Sequence, residues 1–248
     1  MKQLVLAFAL IVFIAAVYWS TQREAVVSAP VFSEIPAGDA RKEAFFAYFA
    51  PLIAAHNAAI LKQREKVLEW REAGGPGWWQ GGEFEALTAK YFMQEFDAAS
   101  EEDWNELLER VDIVPVSLGL AQAAKESGWG TSRFATSANN YFGQWCFEPG
   151  CGVVPEKRNA GATHEVANFE SPGKSVRSYL QNLNRHRAYA RFRDIRAQAR
   201  TTGGPATGLA LAEGLDEYSE RGGAYVKELR SMIRYNELDR YDDCGAAC

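Results

Sequence analysis

Helical periodicity runs through most of this chain but fails over one stretch, and that exception constrains the fold more than any other feature. Between about residues 144 and 170 the sequence turns rich in glycine, proline and cysteine. Its only strand-like pieces there are Gly152-Val153-Val154 and His164-Glu165-Val166-Ala167-Asn168-Phe169. On either side, apolar residues recur at helical steps. Phe45, Phe49, Leu52, His56 and Ile60 do so between Asp39 and Arg71, and Val176, Tyr179, Leu180 and Leu183 do so after the start signal Ser171-Pro172. A helical array interrupted once predicts an α+β protein, mainly α, with one small two-stranded β-hairpin lobe.

Local punctuation sets the boundaries. Pro30, Pro36 and Gly38 mark residues 22–38 as a linker, and Gly74-Gly75-Pro76-Gly77 breaks the chain after the first long helix, which Pro51 kinks or splits. Ser100-Glu101-Glu102-Asp103 reads as a capping box with Asp in its last place, opening a helix through Trp104, Leu107 and Leu108. Pro115 suits the first turn of a central helix from Val116 to Ser127, which Gly128 ends. Further helices are expected around Tyr189–Arg200, Leu209–Glu213 and Gly223–Leu238. His56 has no second ligand at helical spacing and reads as a structural histidine. Trp78 and Trp79 suit either stacking on sugars or packing. The expected organisation is an N-terminal segment 1–21, the linker 22–38, a helical region 39–110 and a catalytic domain 111–248.

Lys2 followed by the uninterrupted apolar run Leu4–Trp19 reads as export machinery. Sixteen helical residues span roughly 24 Å, somewhat short of a hydrocarbon core of about 30 Å. Val27-Ser28-Ala29 is followed by Pro30, a poor residue just after a cleavage point. A signal anchor in the inner membrane, with the rest of the chain in the periplasm, is therefore preferred over a cleaved signal peptide. The net charge of −5 provides no electrostatic footprint for nucleic acid. Cys146 and Cys151 flank Pro149-Gly150, a turn that lets them meet as a disulfide in an oxidising compartment. With Cys244 and Cys248, three pairings are open, and a four-thiolate zinc site is the alternative, although the spacings do not suit the usual zinc knuckles. No metal or other cofactor is expected.

The chemistry centres on Leu120-Ala121-Gln122-Ala123-Ala124-Lys125-Glu126-Ser127-Gly128-Trp129-Gly130. A carboxylate in the last turn of a helix meets the partial negative charge of the carbonyl end, and desolvation beside Trp129 would raise its pKa further. A carboxyl group kept protonated near neutral pH can protonate a glycosidic oxygen. The plainer reading is a solvated helix-end Glu beside Lys125.

The surrounding motifs favour the first reading. The Gln-Ala-Ala-Lys-Glu-Ser-Gly-Trp-Gly segment, Ser132-Arg133-Phe134-Ala135, Asn139-Asn140-Tyr141-Phe142-Gly143 and Tyr218-Ser219-Glu220-Arg221-Gly222 together resemble the glucosaminidase family of peptidoglycan hydrolases. The cysteine-bearing Gln144–Gly152 is similar to its Bax-like branch, and the resemblance covers roughly residues 110–240. It implies a lysozyme-like fold and endo-β-N-acetylglucosaminidase activity on the β-1,4 bond after N-acetylglucosamine in peptidoglycan glycan strands. It further implies Glu126 as general acid, Tyr218 as the C-terminal active-site tyrosine, and Asn140 and Tyr141 as substrate-binding residues of the cleft. The family's Tyr-Ala-Thr-Asp-Pro turn after that tyrosine is not kept. A second carboxylate that activates water is expected at Glu165, in a strand-like run, or else at Glu156. A substrate acetamido group acting as nucleophile would need neither. Two rivals remain: a lytic transglycosylase of the same fold, and a catalytically silent wall-binding protein.

Overall fold

The computed structural model describes residues 28–156, 158, 161–204 and 206–242. The apolar run Leu4–Trp19 and the pair Cys244 and Cys248 lie outside the described residues.

The first helix, α1 (Asp39–Glu72), is one unbroken rod of 34 residues. Pro51 sits inside it without ending it. The proline removes one backbone donor, but both Pro51 and Ala47, whose carbonyl loses its partner, are exposed, so water can satisfy the carbonyl. By length and composition α1 could cross a membrane. Here it is a core helix, burying Phe45, Phe46, Phe49, Ile53, Ile60, Val67 and Trp70. Next come α2 (Gly81–Lys90) and α3 (Glu101–Arg110), the latter capped by Ser100 Oγ accepting from Asp103 N at 3.2 Å. Trp78 and Trp79 precede α2, exposed and packed edge to face on each other.

The central element is α4 (Val116–Ser127), with buried residues on every side because Ala121, Ala123, Ala124 and Gly119 let neighbours approach all round. After α5 (Arg133–Ala138) comes the β-lobe, then α6 (Pro172–Arg185), α7 (Ala190–Thr201), the short α8 (Gly208–Leu211) and α9 (Gly223–Tyr235). Among the described residues the fold is mainly α with one small antiparallel sheet, the lysozyme-like arrangement.

The lobe has three strands where two were expected. β1 (Trp145–Cys146), β2 (Gly152–Val153) and β3 (Glu165–Ala167) form a sheet of order β1-β3-β2, both pairs antiparallel. Trp145 lies opposite Val166 on one side, and Val153 lies opposite the same Val166 on the other. A two-residue strand has no periodicity to read, so β1 exists only through its pairing with β3. Cys146 and Cys151 are joined by a disulfide with Cα atoms 6.2 Å apart, so neither offers a thiolate to a metal.

One hydrophobic core runs through the described residues. Residues of α1, α2 and α3 share it with residues of α4, α6, α7 and α9, so nothing in the packing separates 39–110 from the later helices. Within the described part of the expected linker, residues 28–38, one residue packs into the core. Phe32, in a 3₁₀ turn (Phe32–Glu34), is buried with its ring 5.2 Å from that of Phe45. A single aromatic anchor among prolines leaves no periodic signal.

Candidate active site

The end of α4 is built by an abrupt reversal. Gly128, Trp129 and Gly130 have φ of 56°, 59° and 76° in succession. The Trp129 amide donates back to the Ala124 carbonyl at 2.8 Å, as in a Schellman-type stop. Ser127 fastens the turn, its hydroxyl donating to the Ala123 carbonyl at 2.6 Å and accepting from Gly130 N at 2.8 Å. A side chain at Gly130 would put its Cβ 2.3 Å from the Phe32 ring, so the turn and the N-terminal anchor need this glycine twice over.

This reversal sends Trp129 to α1. Its ring packs edge-on against Phe45 and Phe46, with centroids 5.8 and 5.5 Å away. Trp129, expected to desolvate Glu126, thus has its ring packed on α1, and the aromatic residues coupled to Glu126 are tyrosines from later in the chain. Glu126 is half-buried and accepts a hydrogen bond from the Tyr225 hydroxyl of α9, and its charge is also felt by Tyr179 of α6 and by Tyr218. Desolvation raises its pKa above the usual 4.5, outweighing the downward pulls of Tyr225 and Lys125. Lys125 is itself drawn away, its ammonium 2.5 Å from Glu228, which also pairs with Arg221.

The Asn139–Gly143 loop forms the adjoining wall. At Gly143, φ is +64°, and the direction a Cβ would take ends 3.6 Å from Glu126 Oε2. The glycine thus carries the loop against the acid in a conformation that L side chains rarely adopt. Asn140 was expected to touch substrate, but its side chain is buried and already occupied. Nδ2 donates to the carbonyls of Gln144 (2.8 Å) and Ala167 (2.9 Å), while Oδ1 accepts from Gln144 N (3.0 Å) and Phe142 N (3.3 Å). Both of its donors and both of its acceptor sites are used. Tyr141 also faces inward, its ring 4.6 Å from Phe49 of α1, and burial pushes its hydroxyl up to about 12. Tyr218 does reach the site's frame. Its hydroxyl donates to the Phe142 carbonyl at 2.8 Å, and its ring lies parallel to Tyr225 at 5.6 Å.

Neither expected second carboxylate is unengaged. Glu165 accepts Gly150 N at Oε1 (3.0 Å) and Gly152 N at Oε2 (2.8 Å), and these amides hold its pKa below the usual carboxylate range. The turn shields Glu165 from solvent, yet the lobe is thin and little protein surrounds the group, so desolvation is the lesser influence. Glu156 is exposed and pairs with Arg133.

Three residues of the site were not picked out as functional from sequence: Gln122, Tyr179 and Tyr225. Gln122 had one local signal, a polar residue in an Ala- and Leu-rich run one helical turn before Glu126. The tyrosines had none beyond the motifs around them.

Residues 101–238 match the Glucosaminidase family, described as mannosyl-glycoprotein endo-beta-N-acetylglucosaminidase. The chain belongs to the glucosaminidase family. It is also 35% identical over 210 residues to Protein bax of Escherichia coli (strain K12), an alignment covering 85% of this chain and 75% of that protein. No solved structure gives a significant match. The glucosaminidase match contains Glu126, the Asn139–Gly143 loop, the β-lobe, Tyr218 and Tyr225. It leaves out α1, although α1 supplies the aromatic surface behind Trp129 and Tyr141.

Proposed function

We propose that the protein is an endo-β-N-acetylglucosaminidase that cleaves the β-1,4 bond after N-acetylglucosamine in peptidoglycan, with Glu126 as its general acid. The observation that carries this reading is a carboxyl group with a raised pKa at the carbonyl end of a buried helix, walled by tyrosines and facing a glycine-lined loop. Such a group is protonated where an ordinary Glu is not, which is what leaving-group protonation needs. The Lys2 and Leu4–Trp19 pattern supports a membrane-anchored enzyme whose catalytic domain faces periplasmic peptidoglycan. A mannosyl-glycoprotein core presents the same kind of bond, and glycan specificity separates the two substrates.

Glu165, expected as the water-activating base, is a poor one as it stands. Two amides occupy its oxygens and lower its basicity. We assign it to bracing the lobe and assign the nucleophile to the substrate's own 2-acetamido group, with Glu126 as the one essential carboxylate. Asn140 and Tyr218 hold the loop in shape, and Tyr141 anchors it to α1. Reliance on a single carboxylate also suits a lytic transglycosylase, so product chemistry decides. Digestion of purified peptidoglycan followed by mass spectrometry should give reducing N-acetylglucosamine ends. Anhydro-muramic ends would show the transglycosylase, and undigested material would show a wall-binding protein.

A further inference from the structure

The tyrosines around Glu126 are linked through one buried amide. The Tyr179 hydroxyl donates to Gln122 Oε1 at 2.5 Å, and Gln122 Nε2 donates to the Tyr225 hydroxyl at 3.0 Å. Gln122 and Tyr179 are wholly buried and Tyr225 nearly so. The distances agree with this polarity, because 2.5 Å suits O–H···O and 3.0 Å suits N–H···O. With Gln122 so oriented, Tyr225 accepts on one side, and its single proton is left for Glu126. Both tyrosine hydroxyls are held far above their usual pKa, chiefly by burial, so neither leaves the chain by ionising. The rings are held independently: Phe142 lies flat on Tyr179 at 4.0 Å and Tyr218 lies parallel to Tyr225.

We propose that Gln122 is a positioning residue that aims the Tyr225 hydroxyl at one oxygen of Glu126, so that the acid's proton is kept on the other oxygen, ready for the leaving group. This deepens the Glu126 reading and rests on it. A carboxylic acid has two equivalent sites for its proton, and a donor fixed at one of them removes the ambiguity. Tyr179 acts one step further back by preventing the Gln122 amide from turning over. If it turned, Tyr225 would donate to Gln122 and leave Glu126 without a donor.

The test uses the full chain and two substrates. One is peptidoglycan, whose sugar leaving group needs a proton. The other is an aryl glycoside of an N-acetylglucosamine oligosaccharide, whose phenolate leaves without one. Tyr225→Phe deletes a single hydroxyl and should lower kcat on peptidoglycan by ~10–100-fold, the worth of one hydrogen bond to a charged group. On the aryl substrate the loss should stay within about threefold. Since Tyr225 stabilises the ionised form of Glu126, its removal should also move the alkaline limb of the pH profile to higher pH. Gln122→Met should reproduce both signatures, and Tyr179→Phe should reproduce them more weakly. Equal losses on the two substrates with an unmoved alkaline limb in Tyr225→Phe and Gln122→Met would overturn the proposal in favour of plain packing. Glu126→Gln is the separate control: if it still digests peptidoglycan, the Glu126 reading itself has failed, whatever the other variants do.

Discussion

Two of the carboxylates that burial desolvates, Asp112 and Glu126, are treated by the fold in opposite ways. Asp112, just after α3, has a side chain only 2% exposed and three guanidinium groups close by. Arg200 grips both its oxygens, Arg64 lies 3.6 Å away and Arg196 3.9 Å. Burial works to raise its pKa, but the Arg200 hydrogen bonds and the charges of Arg196 and Arg64 win, so the group is held below the usual carboxylate range. Glu126, though less deeply buried, is also desolvated and has only Tyr225 and a diverted Lys125 against it, so its pKa rises. Burial alone therefore does not decide a carboxyl group's pKa; burial without a committed cation raises it.

The largest expected effect tests the Glu126 half. Glu126→Gln should cut hydrolysis by ~10²–10⁴-fold while the protein stays folded. The pH dependence of stability should change as well. Folded Glu126 holds its proton more tightly than the unfolded chain does, so its contribution is favourable at low pH. That contribution is lost as pH rises from the ordinary carboxylate range through the raised folded value. Thermal melts across pH should show this decline in the wild type and not in Glu126→Gln. Near-wild-type clearing of cell walls would end the comparison by showing Glu126 to be an ordinary surface acid.

Asp112→Asn should do the reverse, lowering stability by about 3–5 kcal/mol because buried guanidinium charges lose their counter-ion. Turnover per folded molecule should be preserved. Asp112's contribution is present above its unfolded pKa and is lost as pH falls through its lowered folded value. Urea titrations at neutral and acid pH should therefore show the gap between wild type and variant narrowing in acid. A variant as stable as the wild type would mean that the arginine cluster is solvated.

The contrast extends to Glu165, whose low pKa depends chiefly on amides of the Gly150–Gly152 turn, with Arg158 the lesser influence. The Cys146–Cys151 bridge closes that turn, so replacing both cysteines with serine should cost about 2 kcal/mol, the low end for such a short loop. Differential melting and non-reducing peptide mapping would check this. A smaller effect comes from Lys125→Met. Removing this nearby cation should raise the Glu126 pKa further and move the alkaline limb of activity to higher pH, by less than Tyr225→Phe does. A shift to lower pH would show that Lys125 does not act on the acid directly.

Much of the fold was legible because it obeys local rules. The first long helix was expected from Asp39 to Arg71 and runs from Asp39 to Glu72; Val116–Ser127 ends at Gly128 as expected; Ser100 caps α3; and Cys146 pairs with Cys151 across its own turn. Each depends on residues within a few positions of one another. The site was legible only in part. Glu126 stood out by its motif, but Asn140 and Tyr141 turned out to be occupied with backbone and core, and a side chain's direction is not written in its spacing.

By itself, the sequence determined most of the long helices and where α1 and α4 stop, that a small lobe interrupts them, and that an acid ends the central helix in a family-like setting; α2 and α5 it did not mark. Only the tertiary structure decided what surrounds that acid. Tyr225 lies 99 positions beyond Glu126 in the chain and Tyr179 lies 53 beyond, and no local pattern foretells that they meet through Gln122. Trp129, three residues from Glu126, is turned away toward α1 by three successive positive φ angles. A carboxyl group's pKa is set by the atoms within a few ångströms of it, and in a packed helical domain most of those atoms come from elsewhere in the chain.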